Sequence, residues 1–433
     1  MKNVYVPFDL PVFRNYNPYH PLLANLIEQE YDGIRFVHTK FPDPDQLSGA
    51  EVFKLAIEFV EKIAAAMPPH LRRDEDSLIA LVASRDLVSQ AHVNVKCDLA
   101  FYHTTPVIVN QMPYILHFES PTTLFYPYIL HGKTWGLKLS EKYSYWYIRA
   151  MLESVECRRI FTNLAMSKRQ IDTIFKSDII SGKTEYIAPG PYITRREVEK
   201  VDEALSAMTP SSHVEILFTN SWHQGTDNFF FRGGLDLLVA FQMMEEYYPD
   251  VHLTIRSSWP QRLNGTALHK FVSEHRKITL LPNKVTDEEM MDLFIRADIF
   301  CLDAASVHSI SVLRAMYCGA VCIVSDSPGY EEYIEHNVTG LVIRGRKAAV
   351  YSEEPETGFL CDNFETLFTN NKTNVIQMAE ALRALCDNPE RRITIGKAAH
   401  KQVREKNSFS NWRDGFERIM RDALLVAGVK QAV

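Results

Sequence analysis

The sequence predicts an α/β fold with parallel sheets, arranged in two domains. An acidic first turn at 287–289 opens an amphipathic helix. An apolar run at 299–302, a polar loop, a helix stopped by Gly319 and a second apolar run at 320–324 follow in order. This order of strand, helix and strand is a βαβ unit, the building block of parallel sheets. At 433 residues the chain is too long for one ordinary core and fits two domains of about 200 residues each.

The N-terminal part of the chain shows the pattern of a further sheet. Strands are expected at 3–8, 78–82, 98–103 and 114–116, and helices at 22–31 and 50–66. The strand at 114–116 leads into His117, and Glu119 follows shortly after it. Ligands bind beyond the carboxyl ends of strands in open parallel sheets, so both residues are candidates for a site. The alternatives stay open, namely that His117 caps a strand and that Glu119 is solvated.

Residues 134–160 combine aromatic and basic side chains, including Trp135, Lys138 and Arg149. Such a combination occurs on helices that lie at a membrane surface. We favour a packed amphipathic helix as the explanation, and peripheral membrane contact stays open.

The rest of the chain contains a linker and a helical end. Residues 209–212 are rich in turn-forming residues and fit an interdomain linker. Residues 344–374 are acidic and polar, and we expect a surface excursion there. Helices are expected at 375–386, 389–406 and 411–425.

Composition and charge exclude several classes of protein. The formal net charge of −7 provides no basic field for nucleic acid. The seven cysteines are scattered without a CxxC pair or a histidine at ligand spacing, so we expect reduced core residues and no metal site. The amino terminus lacks a signal-peptide run, and no stretch approaches the ~18 apolar residues of a membrane span. We therefore expect a cytoplasmic protein.

The second domain contains a candidate phosphate site. After the strand expected at 214–219, the chain passes through Arg232-Gly233-Gly234 and enters an apolar helix. Glycines let the backbone approach a ligand, a helix N-terminus favours an anion, and a guanidinium can bind phosphate through two hydrogen bonds. Arg256, at the end of the next expected strand, is a second candidate, with a surface ion pair as the alternative.

Three ordered segments carry a resemblance to a known family. They read TDEEMMDLFIRADIFCL, RAMYCGAVCIVSD and GYEEYIEHNVTGLVI, and all lie between residues 286 and 343. Their order resembles the donor-binding half of family-4 glycosyltransferases of the GT-B fold. The resemblance implies two Rossmann-like domains whose parallel sheets face each other across a cleft. It places an acceptor-side domain at 1–205, a nucleotide-sugar donor domain at 213–408, and at 409–433 a helix that crosses back onto the first domain.

The chain departs from that family at two positions. The family carries two glutamates eight positions apart, and aligning on the segment 315–319 puts Ser306 and Arg314 there. In the family the first glutamate faces the sugar, so Ser306 occupies that catalytic position. The second glutamate accepts hydrogen bonds from the ribose diol. An arginine has donors and no acceptor, so Arg314 cannot take the ribose role, but it can bind a phosphate or carboxylate of the ligand.

The resemblance assigns roles to further residues. Arg232 occupies the slot of a family lysine that precedes glycine, and His117 occupies a position from which many members reach the donor sugar. Backbone groups near Val285 correspond to base contacts. The backbone N–H groups at the helix start around His308 and Ser309 could cradle phosphate or sugar hydroxyls. The alternative for His308 is a loop histidine that faces water.

These observations lead to one preferred function. The resemblance implies sugar transfer from a nucleotide-sugar donor to a hydroxyl of a glycan or glycolipid, in cell-surface polysaccharide synthesis. It implies retention of the anomeric configuration, and no cofactor or metal is required if Arg232 stabilises the leaving diphosphate. Glu119 as a general base for inversion stays open. Homo- or hetero-oligomers and contact with the inner membrane face also stay open.

Two alternatives remain. The loss of both glutamates motivates the first, a catalytically inactive relative that binds a glycan or stabilises a partner enzyme. The second is another nucleotide-sugar enzyme on the same fold, such as an epimerase or a sugar-phosphate synthase.

Overall fold

The computed structural model describes residues 1–6, 31–38, 54, 57, 96–104, 112–125, 129–220 and 225–427. The helices expected at 22–31 and 50–66 and the strand expected at 78–82 lie outside these residues, apart from single positions.

Among the described residues, the first domain contains six parallel strands. They are β1 (Lys2–Val6), β2 (Ile34–His38), β3 (Leu99–His103), β4 (Tyr114–Phe118), β5 (Cys157–Thr162) and β6 (Thr184–Tyr186). Their order across the sheet is β2-β1-β3-β4-β5-β6. Strand β4 is buried along its whole length, as expected for a central strand of a sheet covered on both faces. Strand β2 was not predicted.

The helices that the structure describes in the first domain follow β4 and β5. They are α1 (Pro121–Leu124), α2 (Tyr143–Glu153), α3 (Ala165–Phe175) and α4 (Asp178–Lys183). Helix α2 buries one face, which includes Tyr143, Tyr147, Ile148 and Leu152, in the core of this domain. The prediction of a packed amphipathic helix within 134–160 is therefore confirmed.

In the described part of the second domain, another six strands form a parallel sheet. They are β7 (Val214–Thr219), β8 (Val251–Arg256), β9 (Ile278–Leu281), β10 (Ile299–Leu302), β11 (Val321–Ser325) and β12 (Gly340–Ile343), in the order β12-β11-β10-β7-β8-β9. The helices that the structure describes from here to the C-terminus, with the one that precedes β7, are α5 (Arg195–Ala207), α6 (Asn228–Phe231), α7 (Gly234–Gln242), α8 (Ala267–Glu274), α9 (Asp287–Arg296), α10 (Ser309–Tyr317), α11 (Arg346–Val350), α12 (Lys372–Cys386), α13 (Pro389–Lys406) and α14 (Phe409–Ala427).

The predicted βαβ unit is confirmed by β10, α10 and β11. The helix before it, α9, begins where the acidic turn was expected. Thr286 caps this helix: its hydroxyl accepts a hydrogen bond from Glu289 N, and the Glu289 carboxylate accepts one from Thr286 N at 2.7 Å.

The segment after β12 is not the surface excursion that its composition suggested. It forms a hairpin of β13 (Tyr351–Glu353) and β14 (Leu360–Asp362), and Phe359 and Cys361 are buried in the core of the first domain. The backbone N–H of Thr134 donates to the Asp362 carbonyl at 2.8 Å. The hairpin therefore joins the two domains. Its apolar residues are so few that the composition of the segment did not indicate a buried element.

The C-terminal helix packs on the first domain, as expected. Trp412, Phe416 and Ile419 of α14 lie in one core with Phe101 and Phe161 of the first sheet. This core is thus completed by residues from the far end of the chain.

Most of helix α5 lies within the range predicted for the first domain, but the helix contacts the second. Val201 is part of the second core, and Lys200 Nζ lies 3.0 Å from Asp292 Oδ1 of α9. The domain boundaries at 205 and 213 stay a prediction.

All seven cysteines lie in described parts of the chain and are free thiols, and six of them are buried. None of the described helices has the length and apolar character needed to cross a lipid bilayer.

Candidate functional site

A buried arginine lies where the second sheet meets the first domain. Arg232 ends the short helix α6, is 3% exposed, and its Nη2 lies 3.2 Å from His308 Nδ1. Burial, reinforced by the Arg232 charge, holds the pKa of His308 well below its usual range. His308 is therefore uncharged at neutral pH, and its Nδ1 accepts the hydrogen bond that Arg232 donates.

A second arginine, Arg256, lies near Arg232. Burial lowers the pKa of Arg232 to about 10, Tyr330 opposes this shift and the Arg256 charge adds to it. Arg256 ends β8, and its Nη1 donates a hydrogen bond to the backbone carbonyl of Asn220, the residue after β7. Asn228 of α6 donates to Asn220 Oδ1, so Arg256 at the carboxyl end of β8 and Arg232 at the end of α6 lie in one region, which is a positive site.

The two glycines after Arg232 are required by close packing. Gly233 has φ +81°, and a Cβ there would lie 2.4 Å from the backbone oxygen of Asp303. A Cβ on Gly234 would lie 2.5 Å from the ring of Phe229. Only glycine lets this turn pass so close to the end of β10 and place Arg232 at the start of α7.

A buried cluster of charges fixes the base of this turn. Arg346 Nη2 lies 2.6 Å from Asp236 Oδ2 of α7 and also contacts Asp303 Oδ2. The amide of Asn374 donates to both oxygens of Asp303, at 3.2 and 3.0 Å. Burial raises the pKa of Asp303 to about 6, although Arg346 opposes the shift. The cluster ties α7, β10, α11 and α12 together and so holds the turn rigid.

The loop from Asp303 to Ser309 closes the site on one side. The Ser306 carbonyl accepts a hydrogen bond of 3.3 Å from the hydroxyl of the fully buried Tyr330. Ser309 is the first residue of α10, and His308, at the N-cap position, makes no side-chain cap hydrogen bond. The N–H groups at the start of α10 are therefore not capped by the His308 side chain. They lie beside His308, the hydrogen-bond partner of Arg232.

The first domain contributes the opposite face. His117 of β4 is fully buried, its Nδ1 lies 2.7 Å from His103 Nδ1, and its ring packs against Phe161. Glu119 is exposed, and its charge acts on the pKa values of His308 and Tyr333. The catalytic role of Glu119 stays a prediction.

Two further predicted site residues, Arg314 and Val285, contact other parts of the second domain and α5. Arg314 is 1% exposed, and its Nη2 lies 3.2 Å from Glu197 Oε1 of α5 while Nη1 donates to the Tyr192 carbonyl. Val285 lines a cavity of about 490 Å³ with Leu281 and Leu293. The donor-binding roles of Arg314 and Val285 stay predictions.

The structure adds a group that the sequence analysis missed. His131 Nε2 lies 3.1 Å from Ser120 Oγ, and His131 Nδ1 lies 3.1 Å from Asp362 Oδ2. Asp362 lies 231 positions from His131 along the chain. No motif spans such a distance, and only the fold brings the two together.

The family comparison matches part of the chain. The model of a family described as "Glycosyl transferases group 1" matches residues 232–356, which include Arg232, His308 and Arg314. No curated protein sequence matches the chain.

Solved structures match along the whole chain, at low identity. A glycosyltransferase involved in lipopolysaccharide biosynthesis, WaaG, has TM-score 0.54 and 12% identity, covering 96% of this chain and 99% of that one. Sucrose-phosphate synthase from Thermosynechococcus elongatus has TM-score 0.53 and 14% identity, covering 98% and 100%. HepE of Anabaena, in complex with UDP and glucose, has TM-score 0.50 and 10% identity, covering 97% and 100%. The fold is thus that of the GT-B architecture, with two Rossmann-like domains and a C-terminal helix.

Proposed function

We propose that this protein is a glycosyltransferase that moves a sugar from a nucleotide-sugar donor to a hydroxyl of a glycan or glycolipid. The observation that carries the proposal is the buried pair of Arg232 and uncharged His308, with Arg256 nearby. Two neighbouring guanidinium groups favour a ligand with negative charge, because each can donate paired hydrogen bonds to phosphate oxygens. A diphosphate supplies that charge, and the family match over residues 232–356 supports the same ligand class.

The proposed chemistry follows from the position at which negative charge develops during sugar transfer. When the bond between the anomeric carbon and the diphosphate oxygen breaks, negative charge accumulates on the leaving diphosphate. Arg232 is already fixed by the glycine turn and the Arg346 cluster, so it stabilises that charge without reorganisation. The N–H groups that open α10 add further donors to the same region. We propose these groups, rather than a metal ion, as the main counter-charge, and a nucleotide-sugar as the co-substrate.

We also propose a class of donor and a class of acceptor. UDP-sugars are the first donors to test, because the structure of similar fold, HepE, holds UDP and glucose. A cell-surface polysaccharide or glycolipid is the acceptor class that we propose, in line with the family resemblance and with the lipopolysaccharide role of WaaG. Such an acceptor would place the enzyme at the inner face of the membrane.

A second candidate function rests on Arg314. An arginine that is buried against Glu197 cannot accept hydrogen bonds from a ribose, and Ser306 lacks the carboxylate of the family position. An inactive relative that binds a glycan or stabilises a partner enzyme would tolerate both changes. The positive site at Arg232 favours the transferase, because a glycan carries no diphosphate.

Thermal unfolding of the pure protein with a panel of nucleoside mono- and diphosphates tests the proposal. A ligand that binds only the folded state raises Tm by mass action. We expect one nucleoside diphosphate to raise Tm and its monophosphate to raise Tm less, because the second phosphate contacts Arg232. Well-folded protein with no response to any nucleotide would favour the glycan-binding candidate. Glu119→Gln with full transfer activity would remove Glu119 from the catalytic residues.

A further inference from the structure

Three side chains from two domains form a hydrogen-bonded series. Ser120 follows β4, His131 lies in the loop after α1, and Asp362 ends β14 of the hairpin. The hydroxyl of Ser120 lies 3.1 Å from His131 Nε2, and His131 Nδ1 lies 3.1 Å from Asp362 Oδ2.

The roles within this series follow from donor chemistry. A carboxylate only accepts hydrogen bonds, so His131 Nδ1 must donate to Asp362. In the neutral imidazole Nε2 is then the acceptor, and Ser120 donates its hydroxyl proton to it. The other Asp362 oxygen accepts from Thr134 Oγ1 at 2.6 Å, which fixes the carboxylate. A base held in one tautomer by a fixed carboxylate and directed at a hydroxyl is the arrangement that proton-abstracting sites require.

The exposed fractions of the Asp362 and His131 side chains suit a site that reacts with a substrate. The side chain of Asp362 is 2% exposed, whereas that of His131 is 39% exposed. The buried carboxylate is therefore shielded from water, and the imidazole that it orients can be reached by a substrate.

The position of His131 relates it to the donor site. The carbonyl of Gly132, the residue after His131, accepts a 3.0 Å hydrogen bond from Phe364 N. The centroid of the Phe364 ring lies 5.0 Å from that of Phe231, the residue before Arg232. The series is thus joined through Phe364 and Phe231 to the segment that carries Arg232, where the sugar of a bound donor would lie.

We propose that Ser120, His131 and Asp362 form a proton relay that activates the acceptor hydroxyl. This inference rests on the proposed function. The acceptor oxygen forms a bond to the anomeric carbon as the bond from that carbon to the diphosphate oxygen breaks. The acceptor proton passes to Ser120 Oγ while the Ser120 proton passes to His131 Nε2, and Asp362 stabilises the resulting imidazolium. The electron pair leaves with the nucleoside diphosphate, and the proton on His131 returns to solvent.

The relay has a stereochemical consequence. His131 and Ser120 belong to the first domain, and Arg232 belongs to the second. A base that activates the acceptor hydroxyl suits direct displacement, in which the acceptor attacks from the side opposite the leaving diphosphate. The product would have inverted anomeric configuration, in contrast to the retention that the family resemblance implies.

The same three side chains could instead make Ser120 a nucleophile, as in serine hydrolases. The residue after Ser120 is Pro121, which has no N–H group. In the strand-to-helix turn of such hydrolases, the N–H after the nucleophile helps to bind the oxyanion. Because that donor is missing, we favour the relay over covalent catalysis.

The test uses the full-length protein and its hydrolysis of nucleotide-sugars, with water as the acceptor. UDP-glucose and a panel of other nucleotide-sugars are the probes, and release of the nucleoside diphosphate is the readout. For His131→Ala we expect kcat to fall by about 100-fold or more. The Tm increase caused by the nucleotide should be unchanged. Added imidazole should restore part of the activity, because the site of His131 is open to solvent.

A matched control is His213→Ala. His213 Nε2 lies 3.0 Å from Glu215 Oε1 in an exposed pair, so this variant removes a histidine and a carboxylate contact away from the site. Its kcat should equal that of the wild type. If His131→Ala does not fold, Ser120→Ala, which removes one hydroxyl, should lower kcat by about 10-fold or more while the nucleotide response remains.

The outcomes separate the two proposals. Normal turnover in both variants, or loss of activity in His131→Ala without rescue by imidazole, would overturn the relay and leave the transferase standing. A wild-type protein that binds nucleotide but hydrolyses no donor would also overturn the relay, since a positioned base would activate water. Phosphonylation of Ser120 by a fluorophosphonate would replace the relay by a nucleophile. Absence of both nucleotide binding and hydrolysis in the wild type would overturn the proposed function itself.

Discussion

The carboxylate of Glu332 in the second domain accepts a 2.5 Å hydrogen bond from the backbone N–H of Met166 in the first domain. Its other oxygen accepts from the N–H of Ala165 at 2.7 Å. These two N–H groups open α3, whose N-cap residue Leu164 makes no side-chain cap hydrogen bond. One helix is thus capped by a side chain from the other domain.

Glu332→Gln tests this cap. Glutamine offers one acceptor oxygen for two N–H groups and removes the negative charge that favours a helix N-terminus. We expect the free energy of unfolding to fall by about 1–2 kcal/mol in urea denaturation. Glu335→Gln, an exposed change in the same segment, should alter it by less than about 0.5 kcal/mol. Equal effects of the two changes would show that Glu332 does not act as a cap.

Arg232→Ala tests the anion site. Removal of a buried guanidinium that binds diphosphate should weaken nucleoside diphosphate binding by about 100-fold, measured by titration calorimetry. Arg232→Lys should bind with intermediate affinity, because an ammonium keeps the charge but loses the paired hydrogen bonds. Arg195→Ala, at a side chain that is 94% exposed, is the control and should bind normally. Unchanged affinity in Arg232→Ala would contradict the phosphate assignment.

Gly233→Ala tests the close turn. The new Cβ would meet the backbone oxygen of Asp303 at 2.4 Å, at a φ of +81° that alanine rarely adopts. We expect a loss of about 2 kcal/mol or more in the free energy of unfolding, since neither the backbone of β10 nor that φ can adjust freely. Gly182→Ala, within α4 and with open space around its Cβ, should be neutral or slightly stabilising. A mild effect at Gly233 would mean that the turn is not held as closely as described.

Asp303→Asn tests the buried charge cluster through pH. The pKa of Asp303 is raised to about 6 by burial, whereas an unfolded aspartate has a pKa of about 3.9. Between these values the folded chain holds a proton that the unfolded chain has released. The contribution of Asp303 to stability is therefore fully present below about pH 4 and is lost as the pH rises through about 6.

The wild type and Asp303→Asn should differ accordingly. The unfolding free energy of the wild type minus that of the variant should fall by on the order of 2 kcal/mol from pH 4 to pH 7. Denaturant titrations at several pH values measure this difference. A difference that does not change with pH would show that Asp303 does not take up a proton on folding.

The second sheet was predictable because its signals are local. The capping turn at Thr286, the apolar runs of β10 and β11 and the stop at Gly319 each lie within a few residues of the element they define. The RGG turn was also predictable as a turn, because two glycines before an apolar helix are a local signal. The close packing of these glycines against Asp303 and Phe229 was not predictable. Strand β2 was not predicted because it lies at the edge of the sheet and contains both polar and apolar residues. Its exposed Arg35 lies between apolar neighbours.

The parts of the candidate site that were not predictable depend on long-range contacts. Arg314 is assigned to ligand binding from its position in the motif alone, and its ion pair with Glu197, far away in the chain, was not predictable. The hairpin that carries Asp362 looked polar because only a few of its residues are buried. Hydrogen bonds between domains produce no periodic pattern in the sequence. The series of Ser120, His131 and Asp362 could therefore be found only from the three-dimensional structure.

The packing of α14 has a consequence for how the chain is made. During synthesis the ribosome releases residues in order, and the strands of the second sheet, 214–343, are contiguous. The first core lacks Trp412 and Phe416 until those residues have been synthesised. The second core is also completed late, by residues of α12 and α13 that extend to Val403. We therefore expect neither domain to reach its native structure until α13 and α14 have left the ribosome, so that the nascent N-terminal domain depends on chaperone protection for longest.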